Sequence, residues 1–305
     1  MTYLLFILTR NVIPLCLMIA GGVTIQRVFH LDIKTMTKLL FYLFSPALVF
    51  TDIYQTRFSQ LVIGQVVLFF LIFFAALITV VTLVMKWRHY QGGRAGAIRN
   101  SVLFYNSANY GIPLNQLAFH GNPLALSVQV IVMLFQNILP NTYGVYSANA
   151  HKMATRDIWR AIFRLPAVYM IPLAIILRLL HISIATPIMI PLHDLVNAFT
   201  AFALTTLGMQ LGQMKWSLQF GDVLLSNALR LLVSPLLALA VVSLLRIHGL
   251  VADALILSSS VPTSLNSMLL AVEFDNEPDL ASQAVFSSTL FSIITVTVVI
   301  AFLHP

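Results

Sequence analysis

The sequence predicts an all-α integral membrane protein with ten transmembrane helices in two inverted five-helix repeats, the fourth and ninth helices being broken. Three observations carry this reading. The composition is 59% hydrophobic and 9% charged, against roughly 25% charged residues in soluble domains, and the mean hydropathy is +0.91. Apolar runs of bilayer-spanning length recur with short polar connections, and 305 residues leave room for about ten spans of about 20 residues each. Prolines and amides interrupt two of those runs at corresponding places in the two halves.

Taken in order, the runs place spans at 4–27, 38–54, 61–85, 98–119, 124–149, 164–180, 188–212, 222–245, 250–272 and 280–303. Met1 to Leu8 carries no charge and no small-residue cleavage pattern follows, so the first run reads as a retained span. The single cysteine, Cys16, lies in an apolar stretch and reads as a packing residue, which leaves no disulfide framework and no thiolate metal cluster. The net charge of +7 is scattered through short loops without interleaved aromatics, which argues against nucleic acid as a partner.

That scatter is explained by topology. Arg27, Lys34, Lys38, Lys86, Arg88, Arg94, Arg99, Lys152, Arg156, Arg160, Arg164 and Lys215 fall on one side of the bilayer, and only Arg57, Arg178 and Arg246 on the other. The positive-inside rule makes the first side cytoplasmic and puts both termini outside a plasma (cytoplasmic) membrane. Glu273, Asp275, Glu277 and Asp279 make the last inward loop acidic, but acidic residues count little in this rule. Five spans per half turn the second half upside down relative to the first, an arrangement common to transporters. The expected divisions are a first repeat at 1–150, a short cytoplasmic linker at 151–163 and a second repeat at 164–305. The recurrence of Val12-Ile-Pro-Leu as Met170-Ile-Pro-Leu supports the split.

The two interrupted spans hold the candidate site. Span four places Asn106, Ser107, Asn109, Gly111, Pro113 and Asn115 where a plain span would carry leucine, and span nine repeats that chemistry with Pro262, Thr263, Ser264 and Asn266. Proline removes a backbone donor and glycine relaxes the chain before it. Broken helix inside a bilayer is tolerated only where it is buried in protein or lines a wet cavity, so two breaks at matching depth predict a cavity between them. Each break also makes half-helix ends with partial charges of roughly half a unit, and an N-terminal end facing the cavity attracts a carboxylate.

No span carries an acidic residue near its centre. Asp52, Asp194, Asp222, Asp253 and the eight histidines lie near span ends, which argues against a midplane proton relay. Arg10 and Arg230 are the basic residues well inside spans; Arg10 is expected to snorkel outward and Arg230 to reach the inner surface or a polar partner.

Four stretches resemble the auxin efflux carrier family, which includes plant auxin carriers and bacterial organic-acid permeases. They are Asn106 to Leu114 ending in Gly-Ile-Pro-Leu, Phe44-Ser-Pro-Ala-Leu, Leu204-Thr-Thr-Leu-Gly-Met-Gln-Leu, and Val261-Pro through Glu273-Phe-Asp-Asn-Glu-Pro-Asp-Leu. The resemblance implies a fold like the bile-acid symporters and sodium/proton antiporters, with spans four and nine crossing at their breaks beside the substrate. Spans one, two, six and seven would form a scaffold, and spans three to five and eight to ten a transport domain moving as an elevator. Asn106 matches the family's crossover asparagine, and Pro113 and Pro262 its crossover prolines. Span-five polar residues near the crossing would be Gln129, Gln136 or Asn137. The long hydrophilic loop of the plant carriers has no counterpart here.

The resulting expectation is a secondary transporter of small organic anions, mono- or dicarboxylates, by elevator-type alternating access. Asn106, Asn109, Ser45, Gln136, Asn137, Thr263, Ser264 and Asn266 are the expected substrate-binding residues, with Gly111, Pro113 and Pro262 shaping the crossover. One alternative is a sodium-coupled symporter of an organic solute, with Ser258, Ser259 and Ser260 at a cation site. Another is a receptor or structural subunit that keeps the fold without transporting. No nucleophile with a base and no set of metal ligands gathers at one depth, so neither an enzyme nor a resident metal or cofactor is expected. The coupling ion, a proton or sodium, stays open. The expected partners are a small organic anion and the lipid bilayer, with no nucleic acid; a homodimer also stays open.

Overall fold

The computed structural model describes residues 13–55, 60–144, 147, 166–213, 221–274 and 276–303. The start of the first span with Arg10, the linker at 151–163 and Asp275 lie outside the described residues. Every element described is helical, and the extended pairing among these residues is one antiparallel bridge between Tyr105 and Thr263.

In chain order the helices are α1 (Ile13–Phe29); α2, which runs through Ile33–Leu39, Leu40–Phe44 and Ser45–Gln55; α3 (Gln60–Trp87); and α4 (Gly92–Leu103). Next come α5, which opens with Ser107–Gly111 and continues as Ile112–Ala118; α6 (Pro123–Ile138); α7 (Pro166–Leu179); and α8 (Thr186–Gln213). The last four are α9, through Asp222–Ala228, Leu229–Val233 and Ser234–Leu244; α10 (Leu250–Ser259); α11 (Leu265–Glu273); and α12 (Pro278–Leu303).

Four helices, Leu61–Trp87, Thr186–Gln213, Asp222–Leu244 and Pro278–Leu303, are each long and apolar enough to cross a bilayer. Their outward faces are apolar too: Leu61, Leu71, Leu244 and Ile294 are 70%, 58%, 73% and 68% exposed. Water would penalise such a surface by roughly 25 cal/mol per Å², whereas lipid would not. The chain is a multi-pass membrane protein.

The prolines explain the local irregularities. Leu40–Phe44, Ser107–Gly111 and Leu229–Val233 are wide π-helical turns, and each is followed two residues later by a proline, at Pro46, Pro113 and Pro235. A proline inside a helix lacks the N–H for its i−4 partner and crowds that carbonyl; the wide turn moves the carbonyl aside and lets the helix continue.

Packing sorts the helices into two groups. Against α8 lies α1, with backbones in direct contact: a Cβ at Gly22 would collide with the Thr205 carbonyl oxygen, and one at Gly208 with that of Ile19. Lipid tails are as apolar as leucine, so helices in a bilayer associate through such close small-residue contacts. Helix α2 packs on α7 and α8. The larger group holds α3 to α6 and α9 to α12, around a core that includes Phe69, Phe73, Val102, Phe104, Leu255 and Val296 and extends to Leu15 of α1 and Leu204, Leu207 and Leu211 of α8. A second core lies between the groups, where Leu48, Val49 and Phe50 of α2, Ala174 of α7 and Phe199 of α8 meet Ile112, Val130 and Met133. Cys16 is half-buried on α1.

Candidate functional site

Helix α4 ends at Leu103 and α10 at Ser259; their continuations α5 and α11 begin at Ser107 and Leu265. The unwound residues between them run antiparallel past each other. The Asn106 N–H donates to the Pro262 carbonyl at 2.9 Å, and the Ser264 N–H to the Phe104 carbonyl at 2.8 Å. In hydrocarbon each unpaired backbone group costs several kcal/mol, and here the two breaks satisfy each other. A single break would leave its groups bare.

Neighbouring helices complete the satisfaction. Gln136 of α6 accepts from the Tyr105 N–H at 3.2 Å and donates to the Leu103 carbonyl at 3.3 Å. About two turns earlier, Gln129 donates to the Ser107 carbonyl at 2.8 Å. That approach explains Gly111, because a Cβ there would lie 2.5 Å from the Gln129 amide nitrogen. On the other side the Thr263 N–H donates to Ser288 Oγ at 3.1 Å, and Thr263 Oγ1 to the Ser101 carbonyl at 2.8 Å.

Beside the crossing lies a cavity of about 70 Å³, lined by Tyr105, Asn106, Ser107, Ala108 and Asn109 from one break and Ser264, Leu265 and Asn266 from the other. Gln136, Asn137 and Gln210 close it, the last from α8 in the other packing group. Both continuing helices present their N-termini here. Asn106 is the N-cap of α5: its Oδ1 accepts from the Asn109 N–H at 3.1 Å, which leaves Nδ2 as the donor it can offer to the cavity. Ser264 Oγ accepts from the N–H of Asn266, the second residue of α11, at 3.2 Å. The lining is therefore neutral, rich in amides, and set at two partially positive helix ends.

The structure gathers most of the expected site residues and turns others away. Asn106, Asn109, Gln136, Asn137, Ser264 and Asn266 line the cavity. Gln136 does so with its amide engaged by the broken backbone. Ser45 is buried inside α2 and Thr263 faces α4 and α12, so neither lines it. Pro262 contributes the carbonyl that pairs the breaks, while Pro113 sits in the first α-helical turn after the wide turn of α5. Tyr105 and Gln210, which were not among the expected substrate-binding residues, also line the cavity. A lone glutamine in the apolar run of span seven was the available signal for Gln210.

Two of the three serines expected at a cation site, Ser259 and Ser260, have other partners, whereas the buried Ser258 hydroxyl has no hydrogen-bond partner among the described residues. Ser259 Oγ and Ser260 Oγ donate to the carbonyls of Ile256 and Leu257 in their own helix, at 2.7 and 2.6 Å. The Ser259 carbonyl accepts from the guanidinium of Arg230, which is buried in α9. Arg230 thus reaches polar partners deep in the protein. Among the described residues no group of three or more His, Cys, Asp and Glu side chains is placed to hold a metal ion.

Long apolar helices with two unwound segments paired beside a polar cavity define a helical membrane transporter. Residues 147–300, half of the chain, match the membrane transport protein family (Mem_trans), and the chain belongs to this family of auxin efflux carrier type. It is also similar to an uncharacterized transporter of Methanothermobacter thermautotrophicus, at 25% identity over 270 residues, which covers 87% of each chain.

Proposed function

We propose that the protein is a secondary transporter of small organic anions, mono- or dicarboxylates, which bind at the crossing of the two broken helices. The observation that carries this reading is the cavity between the breaks. It meets an anion with the amides of Asn106, Asn109 and Asn266 and with two helix N-termini, and no cation lines it. Neutral donors suit a site that must also stand empty, because no buried charge is left unpaired when the anion departs. At about 70 Å³ the cavity admits about two waters' worth of volume, enough for one carboxylate head. A longer acid needs the helices around the cavity to draw apart, which alternating access provides.

The moving part in this reading is the group formed by α3 to α6 and α9 to α12, and the scaffold is α1, α2, α7 and α8. The close pairing of α1 with α8 and of α2 with α7, and the apolar core where α2, α7 and α8 meet the larger group, support that division. Helices α4 with α5, and α10 with α11, then count as single interrupted spans, giving ten spans in two inverted repeats at 1–150 and 164–305, joined by the linker at 151–163. The charge distribution orients them with both termini outside the plasma membrane. Gln210, held by the scaffold against the moving cavity, would read the far side of the bound anion.

The reading is tested by uptake of radiolabelled succinate and acetate into vesicles containing the purified protein. Asn106→Ala should reduce uptake at least about tenfold, the worth of one charge-assisted hydrogen bond, while eluting as the same monodisperse species as wild type. Unchanged uptake in that variant would remove Asn106 from the site.

A further inference from the structure

Among the described residues Arg230 is the only Lys, Arg, Asp or Glu side chain in the buried set, and it has no exposure at all. It sits in the wide turn of α9. Its Nη1 donates to the Val102 carbonyl at 2.9 Å, and its Nη2 to Ser234 Oγ at 2.6 Å and to the Ser259 carbonyl. Ser234 Oγ donates in turn to the same Ser259 carbonyl at 2.8 Å. The guanidinium carbon lies 4.4 Å from the centre of the Tyr105 ring. These partners are two carbonyls, a hydroxyl and an aromatic face, with no carboxylate among them.

A buried cation without a counter-ion is costly, and an ionisable group at membrane depth signals function. The compensating negative charge lies in the backbone. Val102 is in the last turn of α4 and Ser259 is the last residue of α10, so both acceptors sit at C-terminal helix ends that meet at the crossing. Each end carries roughly half a negative unit, and two together match about one guanidinium. The forked guanidinium bonds both ends at once, with its donors already set in the plane.

We infer that Arg230 is a resident counter-cation of the crossing: it ties the C-terminal ends of α4 and α10 together and fills the place that an exchangeable coupling cation would otherwise take. The location of the charge rests on geometry alone; the consequence, transport without sodium, rests also on the transporter reading above. Arg230 is a positioning residue that never meets the anion. It neutralises the negative ends on one side of Tyr105 and leaves the positive ends of α5 and α11 to act on the cavity that Tyr105 lines on the other.

The test is charge-specific rescue in Arg230→Ala. The thermal transition of the purified variant should fall, and low-millimolar guanidinium chloride should recover about half of the fall by binding the vacated space. Urea, of the same shape and neutral, should recover none, and wild type should respond to neither. Arg230→Met, filled but neutral, should stay below wild type and ignore guanidinium. If Arg230→Ala does not fold, Arg230→Lys decides: its point charge should place it between wild type and Arg230→Met. Equal rescue by urea, a methionine variant as stable as wild type, or a lysine variant no better than methionine overturns the assignment. In vesicles, wild-type succinate uptake should be the same with external sodium, potassium or choline, and sodium dependence overturns the coupling claim. Absence of any wild-type succinate or acetate uptake counts against the anion reading, and the thermal arms then decide the charge assignment by themselves.

Discussion

The two faces of the crossing are made from the same pair of unwound segments and carry opposite chemistry. On the cavity face, α5 and α11 begin; their caps are Asn106 and Ser264, and no charge is present. On the other face, α4 and α10 end, and Arg230 is bonded to both. The contrast follows from the direction of the helix dipole combined with permanence. A charge needed in every state is supplied by the chain and its desolvation is met once, on folding. A charge that must come and go is met by neutral donors that stay tolerable when it has left.

Reversing the charge on the closed face should have the largest effect. Arg230→Glu sets a carboxylate against two carbonyl ends and should cost at least about 3–5 kcal/mol, so that solubilised protein elutes as aggregate in size-exclusion chromatography. A monodisperse, thermally stable Arg230→Glu would break the comparison. Next comes Asn106→Asp on the open face. Aspartate caps a helix as well as asparagine does, so the thermal transition should move by less than about 1 kcal/mol equivalent. The lost donor and added negative charge should nevertheless weaken anion binding by about a hundredfold or more, read by titration calorimetry with succinate. Smaller still is Asn266→Ala, which removes one amide donor and should weaken the same binding roughly tenfold. Thr263→Val sharpens the boundary between the faces. Its hydroxyl bonds Ser101 on the closed side, so stability should fall by about 1 kcal/mol with succinate affinity unchanged.

Much of this was legible in the sequence because proline, glycine and amides within apolar runs have few physical excuses. Asn106, Pro113 and Pro262 marked the breaks, and the breaks implied the cavity. Which side of an unwound segment a residue faces was not legible. Helical periodicity stops where the helix does, so Thr263 and Ser264, adjacent in sequence, serve opposite faces. Gln129 and Gln136 are spaced for one face of α6 and looked alike; Gln129 supports the wide turn from behind Gly111, while Gln136 supports the break and borders the cavity. The role of Arg230 was hidden for another reason. Its counter-charge is the sum of two backbone dipoles brought together from α4 and α10, a non-local quantity that no local pattern contains. Gln210 reaches the cavity from α8 for the same non-local reason.

On the proposed reading a carboxylate binds at the helix N-termini on the open face. Thermal unfolding of purified wild type and Asn106→Asp across a panel of acetate, lactate, malate and succinate tests it most directly, because a ligand that binds only the folded state raises its transition temperature. At least one of these acids should raise the transition of wild type in a saturable way and leave Asn106→Asp, itself as stable as wild type, unmoved. Equal stabilisation of the two proteins, or no response from wild type to any of the four, would contradict the account.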